Sequence, residues 1–253
     1  MKLLAFETST EACSVALFID GDVRTRREIA PRRHAELVLP WADELLAEGG
    51  IARSGIDAIA CTRGPGAFTG VRLGIAVVQG IALALERPVV AASSLRVLVE
   101  PFLEAARAAN AGVIGLLDAR MSELYAAAWS HSRLPNDSGD LAAAGADALP
   151  ESLRAPDALA DALGARCASD GSAAGWILCG SGIAIARDAL LARGIRIEGD
   201  YPDALPHAEH LARIAAAAFA RGEGMDAAAI VPVYLRNDVA LTIAQRAARA
   251  SFL

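Results

Sequence analysis

Cysteines are few in this chain, and long uninterrupted apolar runs are missing. Four cysteines occur among 253 residues and no two form a C-x-x-C pair, so we predict neither a disulfide framework nor a thiol redox motif. No segment approaches the roughly 18 consecutive apolar residues of a membrane-spanning helix, since Gln79 interrupts the longest candidate. The apolar start reaches Glu7 too soon for a signal-peptide core. We therefore expect a cytoplasmic protein without membrane contact.

Motifs for nucleophilic and metal catalysis are also missing. There is no G-x-S-x-G elbow and no evident Ser/His/Asp or Cys/His set. Of the four histidines, only His207 and His210 lie close together, at i and i+3 of a predicted helix. Such a pair holds a metal when a third ligand joins it, but a polar helix start explains it as well. No catalytic residue is predicted from these residues.

Negative charge is concentrated in the later part of the chain. The net charge is −6, and residues 1–99 balance 11 basic against 11 acidic side chains. An acidic chain does not bind nucleic acid through its overall field. One basic exception groups Arg24, Arg26, Arg27, Arg32 and Arg33 within ten positions. These arginines predict either a solvated strand edge and helix start or a local contact with an acidic partner or RNA.

A glycine-rich segment at 63–74 (RGPGAFTGVRLG) joins a predicted buried strand at 57–62 to a predicted helix at 69–86. Strand, glycine-rich loop and helix is the order that presents backbone N–H groups to a phosphate. However, no Lys-Ser or Lys-Thr follows the last glycine, and neither the Walker nor the G-x-G-x-x-G spacing fits. We therefore favour a tight turn whose glycines let the helix approach another backbone closely, with phosphate binding as the alternative.

The predicted elements follow a pattern that occurs twice. Before and around the glycine-rich segment they are strands at 2–6, 13–19 and 23–29, a helix at 33–48, and a strand at 89–92. After a helix near 94–109, a buried strand at 112–117 ends at Asp118, and a strand at 123–130 follows at once. Strand 2–6 ends in the same way at Glu7. The repetition indicates an internal duplication, although strand, acid and turn also recur by chance.

The rest of the chain gives fewer predictions. Residues 136–175 are dominated by Ala, Asp, Gly and Ser, and predict no regular element beyond a turn at 136–139. Later elements are predicted as a strand at 176–179, helices at 183–193 and about 207–221, and an extended tail at 231–236.

Two acidic side chains, Glu7 and Asp118, each sit where a buried strand meets a turn. In a duplicated α/β fold, those strand ends would face each other across a cleft. With nearby hydroxyl groups and a Gly-Ser-Gly turn, they suggest a nucleotide–Mg²⁺ site. The alternative is that each acid caps its own hairpin by accepting backbone N–H groups. The residues of the candidate cleft are Glu7, Thr8, Ser9, Asp118, Gly180 and Gly182.

The helix predicted at 69–86 has little polarity. After Thr69 its polar side chains are Arg72, Gln79 and Glu86, each seven residues apart, so they form one narrow stripe. Every other position is apolar or small, which predicts a helix buried nearly all round. It could pack on both its own sheet and a partner, or lie wholly inside its own domain. With helix 33–48 beside it, the predicted partner interface comprises Leu37, Trp41, Gly70, Arg72, Leu73, Gly74, Val77, Val78, Gly80 and Ile81.

Five segments, spanning almost the whole chain, resemble the TsaB family, also called YeaZ. They are AFETSTEACSVALF (5–18), RRHAELVLP (32–40), RGPGAFTGVRLG (63–74), LLDARMSELY (116–125) and PVYLRND (232–238). The resemblance implies an α/β chain with the actin-like ATPase, or ribonuclease H-like, fold. It further implies two duplicated lobes, 1–100 with the docking helices and 101–253, of which the second is reduced.

The resemblance also implies a function. Members of this family belong to the bacterial complex that makes N6-threonylcarbamoyladenosine beside the anticodon of tRNAs reading codons that begin with A. There the paralogue TsaD transfers the threonylcarbamoyl group, the TsaB-like subunit pairs with it through the first-lobe helices, and the ATPase TsaE docks on the pair. The chain is thus expected to be a non-catalytic subunit, homodimeric in isolation, that meets tRNA indirectly or through the complex. The alternatives are a metallopeptidase-like (glycoprotease) enzyme and an autonomous ATPase.

The chain departs from the catalytic paralogue at that protein's metal site. The paralogue's H-x-x-x-H pair, on the helix after the short strand, corresponds to Ser94 and Leu98 here, and neither residue can replace a histidine ligand. Glu7 also stands where an aspartate is common in the fold, with a side chain one methylene longer. The resemblance therefore implies no bound metal and weak or absent ATP or ADP binding.

Overall fold

Two five-stranded sheets form the frame, and the computed structural model describes residues 1–135, 146–170 and 175–236. The first sheet contains β1 (Lys2–Glu7), β2 (Ala12–Ile19), β3 (Asp22–Ile29), β4 (Ala58–Thr62) and β5 (Val89–Ala92). Its order is β3-β2-β1-β4-β5, with β1, β2 and β3 antiparallel and with β4 and β5 parallel to β1. The buried strand β1 is almost wholly apolar, whereas the edge strand β3 is polar and largely exposed.

The second sheet repeats this arrangement. It contains β6 (Gly112–Asp118), β7 (Leu124–Trp129), β8 (Leu149–Arg154), β9 (Trp176–Cys179) and β10 (Ile197–Tyr201). Two antiparallel neighbours, β7 and then β8, flank β6 on one side, and the parallel strands β9 and β10 flank it on the other. Each strand therefore has a counterpart at the same position of the first sheet. The predicted duplication and the actin-like ATPase fold are confirmed.

Helices cover both faces of each sheet. They are α1 (His34–Gly49), α2 (Phe68–Leu85), α3 (Ser94–Val99), α4 (Leu103–Ala108), α5 (Pro156–Asp170), α6 (Ile183–Ala192) and α7 (Ala208–Ala220). Helices α1 and α2 pack on one face of the first sheet, and α5 and α6 on one face of the second. The helix that follows the second sheet, α7, covers the remaining face of the first, while α3 and α4 cover the remaining face of the second. The two lobes thus exchange helices.

Most predicted elements are present, with one correction and three additions. The helix predicted near 94–109 is two short helices, because a 3-10 turn at Glu100–Phe102 containing Pro101 separates them. Strands β8 and β10 and helix α5 were not predicted, and residues 136–145 and 171–174 lie outside the described residues. The second lobe keeps five strands, but its helix α6 has 10 residues where α2 has 18. The boundary at 100/101 stays a prediction, and it falls inside the 3-10 turn.

One helix in the described ranges, α2, is long and apolar enough to cross a membrane by length and composition alone. In the fold 33% of its 18-residue window is buried. Core helices of water-soluble proteins pass the same test, so this is a weak indication.

Candidate functional site

The glycine-rich segment packs against the turn between β1 and β2. A Cβ atom on Gly70 would overlap the Thr8 carbonyl oxygen, and one on Gly74 would lie 2.6 Å from Thr8 Oγ1. In return, Thr8 Oγ1 donates to the Gly70 carbonyl over 2.8 Å, and the Ala67 N–H donates to the Ser9 carbonyl over 2.7 Å. These contacts support the turn-and-packing interpretation of the glycines, because the space beside them is filled by the chain's own backbone.

The carboxyl group of Glu7 lies inside this joint. It is fully buried, and its Oε1 accepts the Ser9 N–H over 2.6 Å and the Ser9 hydroxyl over 2.5 Å. Burial raises the pKa of Glu7 above its ordinary value, and the hydrogen bonds from Ser9 oppose that rise. On the other side of the turn, His34 Nε2 lies 3.0 Å from the Thr10 carbonyl oxygen. The Glu7 carboxyl group therefore stabilises the turn between β1 and β2 through its hydrogen bonds with Ser9.

Asp118 occupies the equivalent position in the second lobe. Its Oδ1 accepts the Arg120 N–H over 2.7 Å, which is the same i to i+2 pattern as Glu7 and Ser9. Its own N–H donates to Ser181 Oγ over 3.2 Å. The alternative that each acid caps its hairpin is thus what the geometry shows at both positions. The two glycines of the neighbouring turn, Gly180 and Gly182, face Leu116 and Leu124 of the sheet.

A cleft of about 320 Å³ separates the two turns. Of the six residues predicted to form a nucleotide site, Asp118 alone lines it; Glu7, Thr8 and Ser9 are buried behind it. Part of the lining comes from the tail at Val233–Arg236. A nucleotide–Mg²⁺ group needs carboxylates and hydroxyls free to face it. Here Glu7 and Thr8 are buried away from the cleft, where Glu7 Oε1 accepts from Ser9 and the Thr8 hydroxyl donates to the Gly70 carbonyl. The residues present do not fit such a group.

The residues predicted to form a partner interface on α1 and α2 fall into two sets, buried and accessible. Gly70, Gly74 and Val78 are buried against the chain's own first lobe, so the prediction of a direct partner contact there is corrected: the side of the helix that carries them faces the sheet. The others are exposed or half-buried, namely Arg72 and Gly80 in the first class and Leu37, Trp41, Leu73, Val77 and Ile81 in the second. Helix α2 is therefore not buried all round.

One stripe of α2 faces solvent; it is polar in the first turn of the helix and small or apolar beyond it. It runs through Thr69, Arg72, Ala76, Gly80 and Leu83, at helical spacings of three and four residues. Leu83 is 65% exposed. A Cβ on Gly80 would meet open space, with no atom within 4 Å. A small, apolar, exposed stripe is the surface that a second helix can approach closely.

A groove lies between α1 and α2 beside this stripe. Its volume is about 330 Å³, and an ion pair between Arg53 and Asp43, 2.8 Å apart, stands on its rim. Leu39, which sequence reasoning missed along with Leu83, is 49% exposed at the groove. Helical periodicity alone could not have identified Leu83, because the buried face of α2 is also small and apolar. The lining is mainly apolar and includes Leu39, Leu46, Gly80, Ile81, Ala84 and Leu85.

The positions compared with the paralogue's metal ligands, Ser94 and Leu98, are buried in α3. No group of three or more His, Cys, Asp or Glu side chains poised to hold a metal occurs in the described ranges. His207 caps α7, since its Nδ1 accepts the Glu209 N–H over 3.0 Å, and its ring centroid lies 6.0 Å from that of His210. Burial lowers the pKa of His207 to about 4. The polar helix-start interpretation accounts for this pair.

Three of the five clustered arginines contact α1 or its flanks. Arg24 donates to the Glu48 carbonyl, and Arg26 pairs with the Glu48 side chain. Arg33 lies 2.5 Å from a carboxylate oxygen of Glu28. These contacts support the strand-edge interpretation for those three arginines.

The strand order, the exchanged helices and the two hairpin-capping acids define a two-lobed protein of the actin-like ATPase fold. Its distinctive surface is the open helix pair of the first lobe. The chain belongs to the TsaB (YeaZ) family.

Three similarities support that assignment. The chain is 33% identical over 240 residues to the tRNA threonylcarbamoyladenosine biosynthesis protein TsaB of Escherichia coli, which covers 95% of this chain and 96% of that protein. A solved structure of YeaZ from Pseudomonas aeruginosa is 40% identical, with a TM-score of 0.74 over 92% of this chain and 99% of that one. The family profile described as TsaD, tRNA N6-adenosine threonylcarbamoyltransferase, matches residues 26–248.

Similarity to an individual transferase is shorter. The tRNA N6-adenosine threonylcarbamoyltransferase of Chlorobium luteolum is 34% identical over 131 residues, or 46% of this chain and 37% of the enzyme. The chain is therefore similar to TsaB over nearly its whole length, and to that transferase over part of its length.

Proposed function

We propose that this chain acts in tRNA N6-threonylcarbamoyladenosine biosynthesis as a non-catalytic subunit that binds a TsaD-like catalytic paralogue through α1 and α2. The observation that carries the proposal is the open groove of about 330 Å³ between these helices, together with the exposed apolar stripe of α2. In the second lobe the corresponding helices, α5 and α6, pack on each other in one apolar cluster. An unfilled apolar groove on one lobe suits a helical partner.

The partner's chemistry follows from the duplication. A paralogue of the same fold carries an equivalent helix pair, so two such pairs can pack around a pseudo-twofold axis. Ala76 and Gly80 would let the partner helix approach α2 closely. Without the paralogue, a second copy of the chain would cover the same surface, and we propose a homodimer in isolation.

The subunit's contribution is conformational. Binding at α1 and α2 would hold the paralogue in its active arrangement and complete the surface on which a TsaE-like ATPase docks, so the effect on the reaction is a shift in population. We place the complex in the cytoplasm, with tRNA contacted through the assembly. Ser94 and Leu98 supply no metal ligand to the chemistry.

Two matched substitutions test the docking surface. Gly80→Arg puts a long charged side chain on the α2 stripe, and Gly164→Arg puts the same side chain on α5 of the second lobe. A Cβ meets open space at both glycines, so both variants should fold with similar unfolding free energies. Binding to the purified paralogue is measured by calorimetry, and tRNA modification is measured after reconstitution with the paralogue and the ATPase.

We expect Gly80→Arg to weaken binding by roughly 100-fold, because a charge would be buried in an apolar interface, and to abolish modification. Gly164→Arg should bind the paralogue with the same dissociation constant as the unsubstituted chain and should support the same tRNA modification. Equal dissociation constants for the two folded variants would contradict the proposal.

A further inference from the structure

The tail at Val233–Arg236 crosses the cleft, and its first residues contact the first lobe. The Val233 N–H donates to the Arg63 carbonyl of the glycine-rich segment over 2.8 Å. The Tyr234 ring lies beside Phe68 at the start of α2, with centroids 6.2 Å apart. The Arg72 guanidinium carbon lies 3.2 Å from the Phe68 centroid and 5.0 Å from that of Tyr234. This end is thus built on the docking helix.

Its last described residue contacts the second lobe. Arg236 Nη2 donates to the Ala119 carbonyl over 3.0 Å, and Arg236 Nη1 lies 2.5 Å from Glu123 Oε2. The Arg236 side chain is 18% exposed and the Glu123 side chain 32%, so this ion pair is partly shielded from water. Ala119 and Glu123 are the two ends of the turn between β6 and β7, which also holds Asp118 in place.

That turn has an unfavourable backbone. Arg120, Met121 and Ser122 are three consecutive residues other than glycine, and their φ angles are 65°, 57° and 58°. Residues other than glycine rarely adopt this left-handed region, and a run of three is rarer still. Such a conformation persists where its surroundings hold it, and Arg236 contacts the two residues that flank the run, Ala119 and Glu123.

We propose that Val233–Arg236 form a latch that fastens the first turn of α2 to the β6–β7 turn across the cleft. The latch links the orientation of the second lobe to the docking helix through Arg72, which lies both on the exposed stripe and beside Tyr234. Only this link to docking rests on the proposed function. The latch itself belongs to the free chain.

If these residues form a latch, a substitution at one end should loosen the backbone that the other end contacts. Amide hydrogen exchange of the full chain is followed at residues 66–72 and 119–123. We expect Tyr234→Ala to speed exchange at 119–123, and Arg236→Ala to speed exchange at 66–72, each by roughly tenfold, the effect of losing one ring contact or charge-assisted hydrogen bond. Tyr234→Phe keeps the ring and should exchange like the unmodified chain.

The control is Arg193→Ala, which removes an exposed ion pair with Asp161 in the second lobe, and amides of β4 and β9 report whether each variant stays folded. If each substitution alters exchange only at its own end, the latch is wrong. The outcome is independent of partner binding, because no partner is present. Failure of the docking proposal would appear instead as full affinity of Gly80→Arg.

Discussion

The two lobes have the same strand order but different outer surfaces. In the second lobe α5 and α6 close on each other through Leu159, Leu163, Ile183 and Leu190. In the first lobe α1 and α2 stand apart and leave a groove with the exposed Leu83 near its edge. The duplication thus preserved the frame, and the difference lies in how each helix pair is covered. In the proposed complex, the open helix pair of the first lobe is the surface that the partner covers.

The two turns at the cleft also differ, in how deeply each buries its acidic side chain. Glu7 is fully buried beneath the glycine-rich segment, whereas the Asp118 side chain is 27% exposed at the cleft. Both accept an N–H from the residue two positions later. The first lobe has therefore turned its acid inward, and the second lobe keeps its acid at the surface.

The largest expected effect tests how tightly the first turn is packed. Gly70→Ala would force a Cβ into the Thr8 carbonyl, a backbone atom that cannot move alone, and should reduce the unfolding free energy by about 3 kcal/mol or more. In the second lobe, a Cβ on Gly182 would lie 2.6 Å from Leu124 Cδ2 and 3.2 Å from the Leu116 carbonyl carbon. Because the closest contact is the end of a flexible side chain, we expect Gly182→Ala to lose about 1 kcal/mol. Denaturant unfolding measures both. Equal losses of unfolding free energy in the two variants would show that the two glycines are packed equally tightly.

The next effect concerns the two helix surfaces. Leu83→Arg on α2 should weaken self-association, or binding to the paralogue, by about 2 kcal/mol because an apolar contact becomes a buried charge. Leu191→Arg is the control, since Leu191 is 50% exposed on the counterpart helix α6. Sedimentation equilibrium over a range of concentrations distinguishes them. Weaker association with Leu191→Arg would place the interface on the other lobe.

A smaller effect follows from the buried acid. Because the folded-state pKa of Glu7 is raised, the folded chain binds its proton more tightly than the unfolded chain, and stability falls as pH rises above 4.5. Glu7→Gln keeps an acceptor for Ser9 and should flatten this fall, gaining about 1–2 kcal/mol at pH 7. Urea unfolding between pH 5 and 8 measures it, with the exposed Glu104→Gln as control. A steeper fall in the Gln variant would contradict the burial argument.

The smallest effect concerns the exchanged helices, whose caps differ. Ser93 caps α3, while His207 caps α7 and has a pKa lowered to about 4. Since the unfolded chain takes up this proton near pH 6.5, stability should fall as pH drops from 6.5 towards 4. His207→Asn keeps a capping acceptor and should gain about 1 kcal/mol at pH 5, after allowing for solvent screening. Thermal unfolding at pH 5 and 7 measures it; an equal gain at both would point to better capping alone.

The frame was predictable because its signals are local. Buried strands β1 and β6 are continuous apolar runs that end at an acid, and the glycines of 63–74 announce a close approach. The unpredicted elements have poor local signals. Strand β8 contains Pro150 and polar residues, as an edge strand can, and α5 is rich in Ala and Asp without a clear apolar face.

The face of α2 that meets the sheet was not predictable in the same way. Gly70, Gly74 and Val78 are buried and Ala76, Gly80 and Leu83 are exposed, yet both sets are small or apolar, so periodicity alone does not separate them. Tertiary packing decides between them. The tail was predicted to be extended, but its position across the cleft depends on contacts with residues more than 100 positions earlier.

The exchange of helices also determines when the first lobe can be completed during synthesis of the chain. The first sheet is complete once β5 has left the ribosome. The face formed by Leu3, Ala5 and Val90 has only Val97 of α3 beside it until Leu211 and Ile214 of α7 are made. The nascent chain must hold an apolar sheet face exposed while more than a hundred further residues are made. Neither half of the gene product would then be a viable fragment, and chaperone demand during translation should end when α7 emerges.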